Sequence, residues 1–248
     1  MRVRLRFTKV GKVRWTSHRD VARMWERAIR RASLPVAYTG GFTPRPKVSF
    51  GLALPTGHES VAEYLDVELE TAEFDIASLP ARLSPALPVG IDVTAAAVID
   101  ARTGSLQEAV TSSTWELEAV GIPPDEVASL VARALAAESI VITRERKGTT
   151  VTDDVRPAIV SVDVIGPTAC DAEGHAPGAV VVAELATHPR SLRPAELLAA
   201  LSPGQVLREG HVRRSAQWIS RDGARSEPLP MGIPLGATDA PHAELRAS

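Results

Sequence analysis

Arginines recur at positions 19, 23, 27, 30 and 31, and on a helix that spacing sets them along one side. Cations strung along a rod bind a polyanion through its phosphates, a task that needs several charges in line more than any one residue. The same amino-terminal stretch adds Arg2, Arg4, Arg6, Lys9, Lys12, Arg14, Arg45 and Lys47. Only Asp20 and Glu26 oppose them, so residues 1–56 carry thirteen Lys/Arg against two acids, a balance of +11. Residues 57–110 reverse the sign, with ten Asp/Glu against Arg82 and Arg102, a balance of −8. The whole chain stands at −2, so its charge is a dipole whose basic pole can steer polyanions.

A second kind of contact is offered by GGFTPRPKVSFG, residues 40–51. Paired glycines let backbone approach a ligand, exposed amides cradle an anion, and Phe42 presents a stackable ring beside Arg45 and Lys47. The plainer reading makes Phe42 a plug at a core edge and the two prolines stiffeners of an extended segment. His18 stands among these arginines, where an acid–base group for RNA cleavage could sit. It shares its helical side with Val21 and Trp25, however, and no His, Asp or Cys partner can be placed beside it. A packing histidine is the commoner case, so His18 is a catalytic candidate without a partner.

Farther along, TRERKGTTVTDDVRP places Arg144, Arg146 and Lys147 on a basic hairpin ahead of Arg156, and a late strand carries His211, Arg213 and Arg214 near Trp218. These residues extend a cationic groove if both halves of the chain face the same way. Among the acids, Asp66, Glu68 and Glu70 alternate outward as a solvated sheet face does, which argues against a metal site. Glu63 lies on the side of Leu65 and Val67 and calls for an arginine partner, with Arg14 and Arg45 as candidates. The single cysteine, Cys170, leaves no disulfide, no CxxC pair and no three-cysteine cluster, so no metal and no cofactor is expected.

The elements that must position these groups follow from periodicity. Val3, Leu5 and Phe7 alternate with Arg2, Arg4 and Arg6, a strand whose outward face reads as wholly arginine. Ser17 to Asp20 resembles a capping box and opens a helix to about Ser33, before Pro35, with Val21, Met24, Trp25, Ala28, Ile29 and Ala32 as its apolar stripe. Strands over residues 48–54 and 62–70, a short helix over 76–83 and a strand over 91–98 complete a strand, helix, strand, strand, helix, strand order. The second half reads as repeating that order with one strand more: strand 114–120, helix 124–137, strands 140–146, 156–165 and 179–186, helix 194–201 and strand 206–219. The predicted architecture is therefore α+β, two tandem ferredoxin-like (βαββαβ) domains over residues 1–108 and 109–221. The tail, residues 222–248, reads as disordered. At 248 residues and 44% hydrophobic the chain can support two cores, and no segment has the run of apolar residues that a signal or membrane helix needs, so a cytoplasmic protein is expected.

The segment FTKVGKVRWTSHRDVARMWERAIRRASLPVAYTGGFTPRPKVSFGLALPTGHESVAEYLDVEL resembles the opening of the uncharacterised bacterial radical-SAM-linked proteins. Phe7, Lys9, Gly11, Arg14, Ser17, His18 and Asp20 match the family's first motif. Arg27, Ala28, Arg30, Arg31, Ala32, Leu34 and Pro35 match the second; Gly41, Phe42, Pro44, Pro46, Lys47 and Ser49 the third; Glu63 and Asp66 the fourth. Asp154 with Arg156, and Arg193 with Pro194, also resemble family positions, which marks Asp154 beside Glu63 as a structural or ion-pairing acid. The resemblance implies a domain found alone or behind a radical-SAM module, with no catalytic residue assigned. Lacking CxxxCxxC, this chain is on that reading the linked partner, and solitary members are associated with ribonuclease E/G surroundings. Tandem ferredoxin-like folds also occur in CRISPR repeat-RNA endonucleases and some tRNA pseudouridine synthases, but neither family's motif stands here. The leading expectation is a non-catalytic protein that binds or presents RNA. The alternatives are an RNA endonuclease or modification enzyme using His18, and a module docking a radical-SAM partner through the acidic sheet of residues 59–75.

Overall fold

The computed structural model describes residues 1–71, 73–146, 148–168, 178–204 and 207–229, with the side chains of Glu145 and Arg146 outside that description. The fold is mixed α+β, mostly sheet with few helices. In chain order the strands are β1 (Arg2–Lys9), β2 (Val48–Phe50), β3 (Glu59–Glu68), β4 (Val93–Ile99), β5 (Ser112–Val120), β6 (Val141–Arg146), β7 (Thr149–Asp154), β8 (Ile159–Pro167), β9 (Gly178–Ala186), β10 (Arg208–Arg221) and β11 (Ala224–Ser226). The helices are α1 (His18–Arg31), α2 (Leu79–Leu83), α3 (Leu106–Ala109), α4 (Pro124–Ala136) and α5 (Pro194–Leu201). One continuous sheet runs β4-β1-β3-β10-β5-β9-β8, with β2 also on β3 and β11 on β10. β10 joins the halves: it is antiparallel to β5 along most of its length and parallel to β3 at Arg213–Glu59 and Arg214–Ser60.

α1 forms where the sequence places it. The Ser17 hydroxyl accepts from the Asp20 amide at 3.2 Å, and Val21, Trp25, Ala28 and Ile29 are buried at helical spacing. The stripe packs on Val3, Leu5, Phe7, Leu65 and Val67, with the Trp25 and Phe7 rings edge to face at 5.0 Å. A second core gathers α4 and α5 over β5, β8 and β9, around Leu117, Val127, Val181 and Leu197. The helix of residues 124–137 and strand of 179–186 thus appear within a residue or two of expectation.

Three expectations fail, each for a tertiary reason. The arginine face of β1 is not exposed: Arg4 is 2% accessible and donates from Nε and Nη2 to Asp66, at 2.7 and 3.0 Å. Asp66, read as outward, is buried on the same layer as Tyr64, and burial pushes the Tyr64 hydroxyl well above its usual range. What covers them is part of the expected disordered tail. Residues 222–229 turn back through β11, the Pro228 carbonyl accepts from Arg4 Nη1 at 2.8 Å, Glu227 pairs with Arg6 at 3.1 Å, and Leu229 packs on Ala62, Tyr64 and Leu106. Residues 230–248 lie outside the described residues. Finally, β6 leaves the main sheet to pair with β7, a polar strand (TTVTDD) that periodicity passes over.

Candidate nucleic-acid interface

The buried stripe of α1 forces its arginines to the opposite side. Arg19, Arg23, Arg27, Arg30 and Arg31 are all exposed, and Arg19 to Arg30 span about 16 Å along the axis at 1.5 Å per residue. Arg23 meets Asp20 at 3.5 Å, an exposed pair of little energetic weight. Arg19, Arg27, Arg30 and Arg31 form no ion pair among the described residues, and Glu26 pairs with none of them. The Ser17 hydroxyl, then Arg23 and Arg19, hold the Asp20 carboxyl below its usual range.

Immediately past the helix, Ser33 takes a left-handed turn (φ 48°) and Pro35 sends the chain onto the edge of β3. Ala37 donates to the Glu68 carbonyl and Lys47 to that of Ala37, both at 2.8 Å, and a bridge joins Tyr38 to Pro46. Thr39 and Arg45 exchange two bonds, at 2.9 Å through backbone and 3.1 Å through the threonine hydroxyl. Residues 36–47 are therefore a projecting finger with the glycines at its tip. Gly41 sits at φ 109°, and no atom lies within 4 Å of where its Cβ would be. Phe42 is fully exposed, so its role as a core plug is overturned, and the finger holds the ring in solvent beside the exposed Arg45. Tyr38, and Trp15 at 64% accessibility, add exposed rings in the same half of the chain.

Other sequence-selected cations are occupied. Arg14 donates to Glu59 at 3.3 Å and lies over the Trp15 ring at 5.2 Å, while Lys47 pairs with Glu68 at 2.9 Å across an exposed gap. Arg144 meets Asp153 at 3.1 Å and Glu196 at 3.9 Å, and Arg213 meets Glu59 at 3.6 Å. Arg156 turns inward and donates to the carbonyls of Leu135, Ala137 and Ile159 at 3.0–3.1 Å, closing the carboxyl end of α4. Lys147 and the Arg146 side chain lie outside the described residues. The groove expected across both halves thus contracts to α1 and the finger.

Glu63 has the arginine it needs, but the donor is Arg214 of β10 at 2.6 Å, not Arg14 or Arg45. Asp154 is a cap, not an ion-pair acid: it accepts from the amides of Ile140 (2.9 Å) and Arg156 (3.0 Å), which lower its pKa. Glu59 is pulled up by burial, yet the Gly11 amide, His211 and Arg14 outweigh that and hold it below the usual value. The acidic stretch of residues 59–75 is partly spent: Glu59, Glu63 and Asp66 are buried with cations, while Glu68, Glu70, Glu73 and Asp75 remain exposed. His18 packs its ring edge to face on Phe50 at 5.3 Å, and no hydrogen bond reaches it among the described residues. No cluster of three His, Cys, Asp or Glu side chains able to hold a metal is found among the described residues. Sequence reasoning missed Arg190, which bridges Asp153 (3.1 Å) and Glu196 (2.6 Å); no local pattern ties those three together.

The model of a family described as "Uncharacterized protein conserved in bacteria" (DUF2344) matches residues 2–194, taking in α1, the finger, β3 and the start of α5. This chain belongs to that family. No curated protein matches it. A chain in the "Crystal Structure of a Cbf5-Nop10-Gar1 Complex" superposes with a TM-score of 0.47 at 10% identity, over 87% of this chain and 48% of that one. This member of the family thus spans about half the length of that neighbour, a likeness too distant to carry fold or function. No helix among the described residues is long and apolar enough to cross a membrane.

Proposed function

We propose that this protein binds RNA through the cationic side of α1 and the finger of residues 36–47, as a non-catalytic accessory to RNA processing or modification. One observation carries the reading: the exposed amino-terminal arginines without an acid partner among the described residues, Arg19, Arg27, Arg30, Arg31 and Arg45, fall on one helix and the finger that directly follows it. The exposed ring of Phe42 supplies the stacking platform that single-stranded segments use, and the open Gly41 backbone permits close approach. The partner enzyme in this proposal is a radical-SAM enzyme or the ribonuclease E/G machinery, in the cytoplasm. Strand orders β4-β1-β3-β2 and β10-β5-β9-β8 support treating the halves as two ferredoxin-like units fused through β10, with the boundary near residue 108.

The test is filter binding of a structured RNA over a salt series. A log binding constant that falls linearly with log salt supports the reading, with a slope of about −0.7 to −0.9 per phosphate contact. Salt-independent or absent binding refutes it. An enzymatic role for His18 predicts RNA cleavage that persists in chelator and is lost in His18→Ala; its packing on Phe50 favours the accessory role.

A further inference from the structure

A cavity of about 310 Å³ lies where the two halves of the sheet meet, walled by residues 52–55, β5, the end of β9 and the start of α5. That is the lower end of the size range of small-molecule sites, roughly 300–1,000 Å³. Its walls are largely apolar, with Leu54, Trp115, Leu185 and Leu192 prominent. Three buried polar residues interrupt them: Thr187 is hydrogen-bonded to the Val110 carbonyl and to His188, whereas Ser113 and Arg214 each keep a polar atom with no hydrogen bond among the described residues. Ser113 is 2% accessible and its Oγ has no hydrogen-bond partner. Arg214 is 1% accessible; Nε and Nη2 are spent on Glu63 and the Leu52 carbonyl, and Nη1 makes no hydrogen bond among the described residues.

Charge points the same way. Lys9, Glu63 and Arg214 are all buried and within electrostatic reach of one another, two cations against one carboxylate. Around them Arg14, Arg213 and His211 meet Glu59, and His58 meets Glu209. Buried charge is retained where a counter-ion completes it. Exposed Arg193, at the start of α5, lines the same cavity.

We propose that this cavity binds a small organic carboxylate, its head accepting from Ser113 Oγ and Arg214 Nη1 and its apolar or aromatic body lying against Trp115 and the leucine walls. The site shares no residue with the arginine side of α1, so it stands or falls apart from RNA binding.

The experiment is calorimetric titration of the full chain with indole-3-acetate, benzoate and octanoate, each paired with its neutral amide. At least one acid binds at millimolar Kd or tighter and roughly tenfold or more above its amide, the factor a charge-assisted hydrogen bond carries. Ser113→Ala weakens that acid several-fold while the thermal midpoint holds or rises, because an unsatisfied hydroxyl is removed. Ala53→Trp fills the mouth from an exposed position and abolishes binding without unfolding the chain. Silence from all three acids, equal affinity for acid and amide, or binding that survives Ala53→Trp overturns the proposal.

Discussion

The arginines of α1 and those of β1 and β10 are equally dense in the sequence and meet opposite fates. On α1 the side away from Trp25 faces solvent, and the nearby acids are Asp20 and Glu26, the latter with no ion pair among the described residues. On the sheet and in the turn after β1 the arginines find carboxylates of β3, Arg2 and Arg4 on Asp66, Arg14 and Arg213 on Glu59, Arg214 on Glu63, while Arg6 pairs with Glu227 past β11. The acids that make residues 57–110 negative therefore cancel the cations of the strands, not those of the helix. A charge count locates the dipole; only strand register says which pole is spent.

The sharpest way to break that contrast is to remove one strand acid. Asp66→Ala leaves Arg4 buried without its carboxylate and is expected to destabilise the chain by about 3–5 kcal/mol, read from denaturant midpoints. A loss no larger than a surface substitution would put the sheet arginines in the same class as the helical ones. Next, the triple change Arg27→Glu, Arg30→Glu and Arg31→Glu is expected to leave stability within about 0.5 kcal/mol per site while cutting RNA affinity and its salt slope. Phe42→Ala should cost about 1–3 kcal/mol of binding to single-stranded RNA with no change in midpoint. Arg156→Ala is expected to lose about 1 kcal/mol of stability with RNA affinity intact, because its bonds go inward, two to carbonyls at the end of α4 and one to that of Ile159 at the start of β8. The smallest effect is with pH. Asp154 has a folded pKa below its usual 3.8, so its stabilising contribution is complete above that value and fades as pH falls through the lower folded pKa. Asp154→Asn should flatten that acid limb of the unfolding midpoint and leave the neutral-pH limb parallel to wild type.

Local pattern carried the elements and stopped at what covers them. The apolar stripe of α1, the alternation of β1 and the cap at Ser17 were all legible because each depends on neighbours within four residues. That Glu63 would need an arginine was also legible, since an acid on an apolar strand face must be paired. Which arginine was not, because Arg214 lies 151 residues away and reaches Glu63 through β10. Arg4 was misread for the same reason: the segment that seals it, at Pro228, is 224 residues distant and has no periodicity of its own. Phe42 could be written either as a plug or a platform until the finger showed it with no core to enter. Arg156 offered no local sign that it would turn toward the end of α4.

The position of β10 between β3 and β5, followed by the return of residues 224–229 over β1, sets an order of assembly. A ribosome delivers the first strand early, but its polar layer cannot be sealed, nor the two halves zipped, until the last strands emerge. Until then the nascent chain presents an open β3 edge and an uncovered guanidinium row, surfaces suited to a holding chaperone rather than to premature closure.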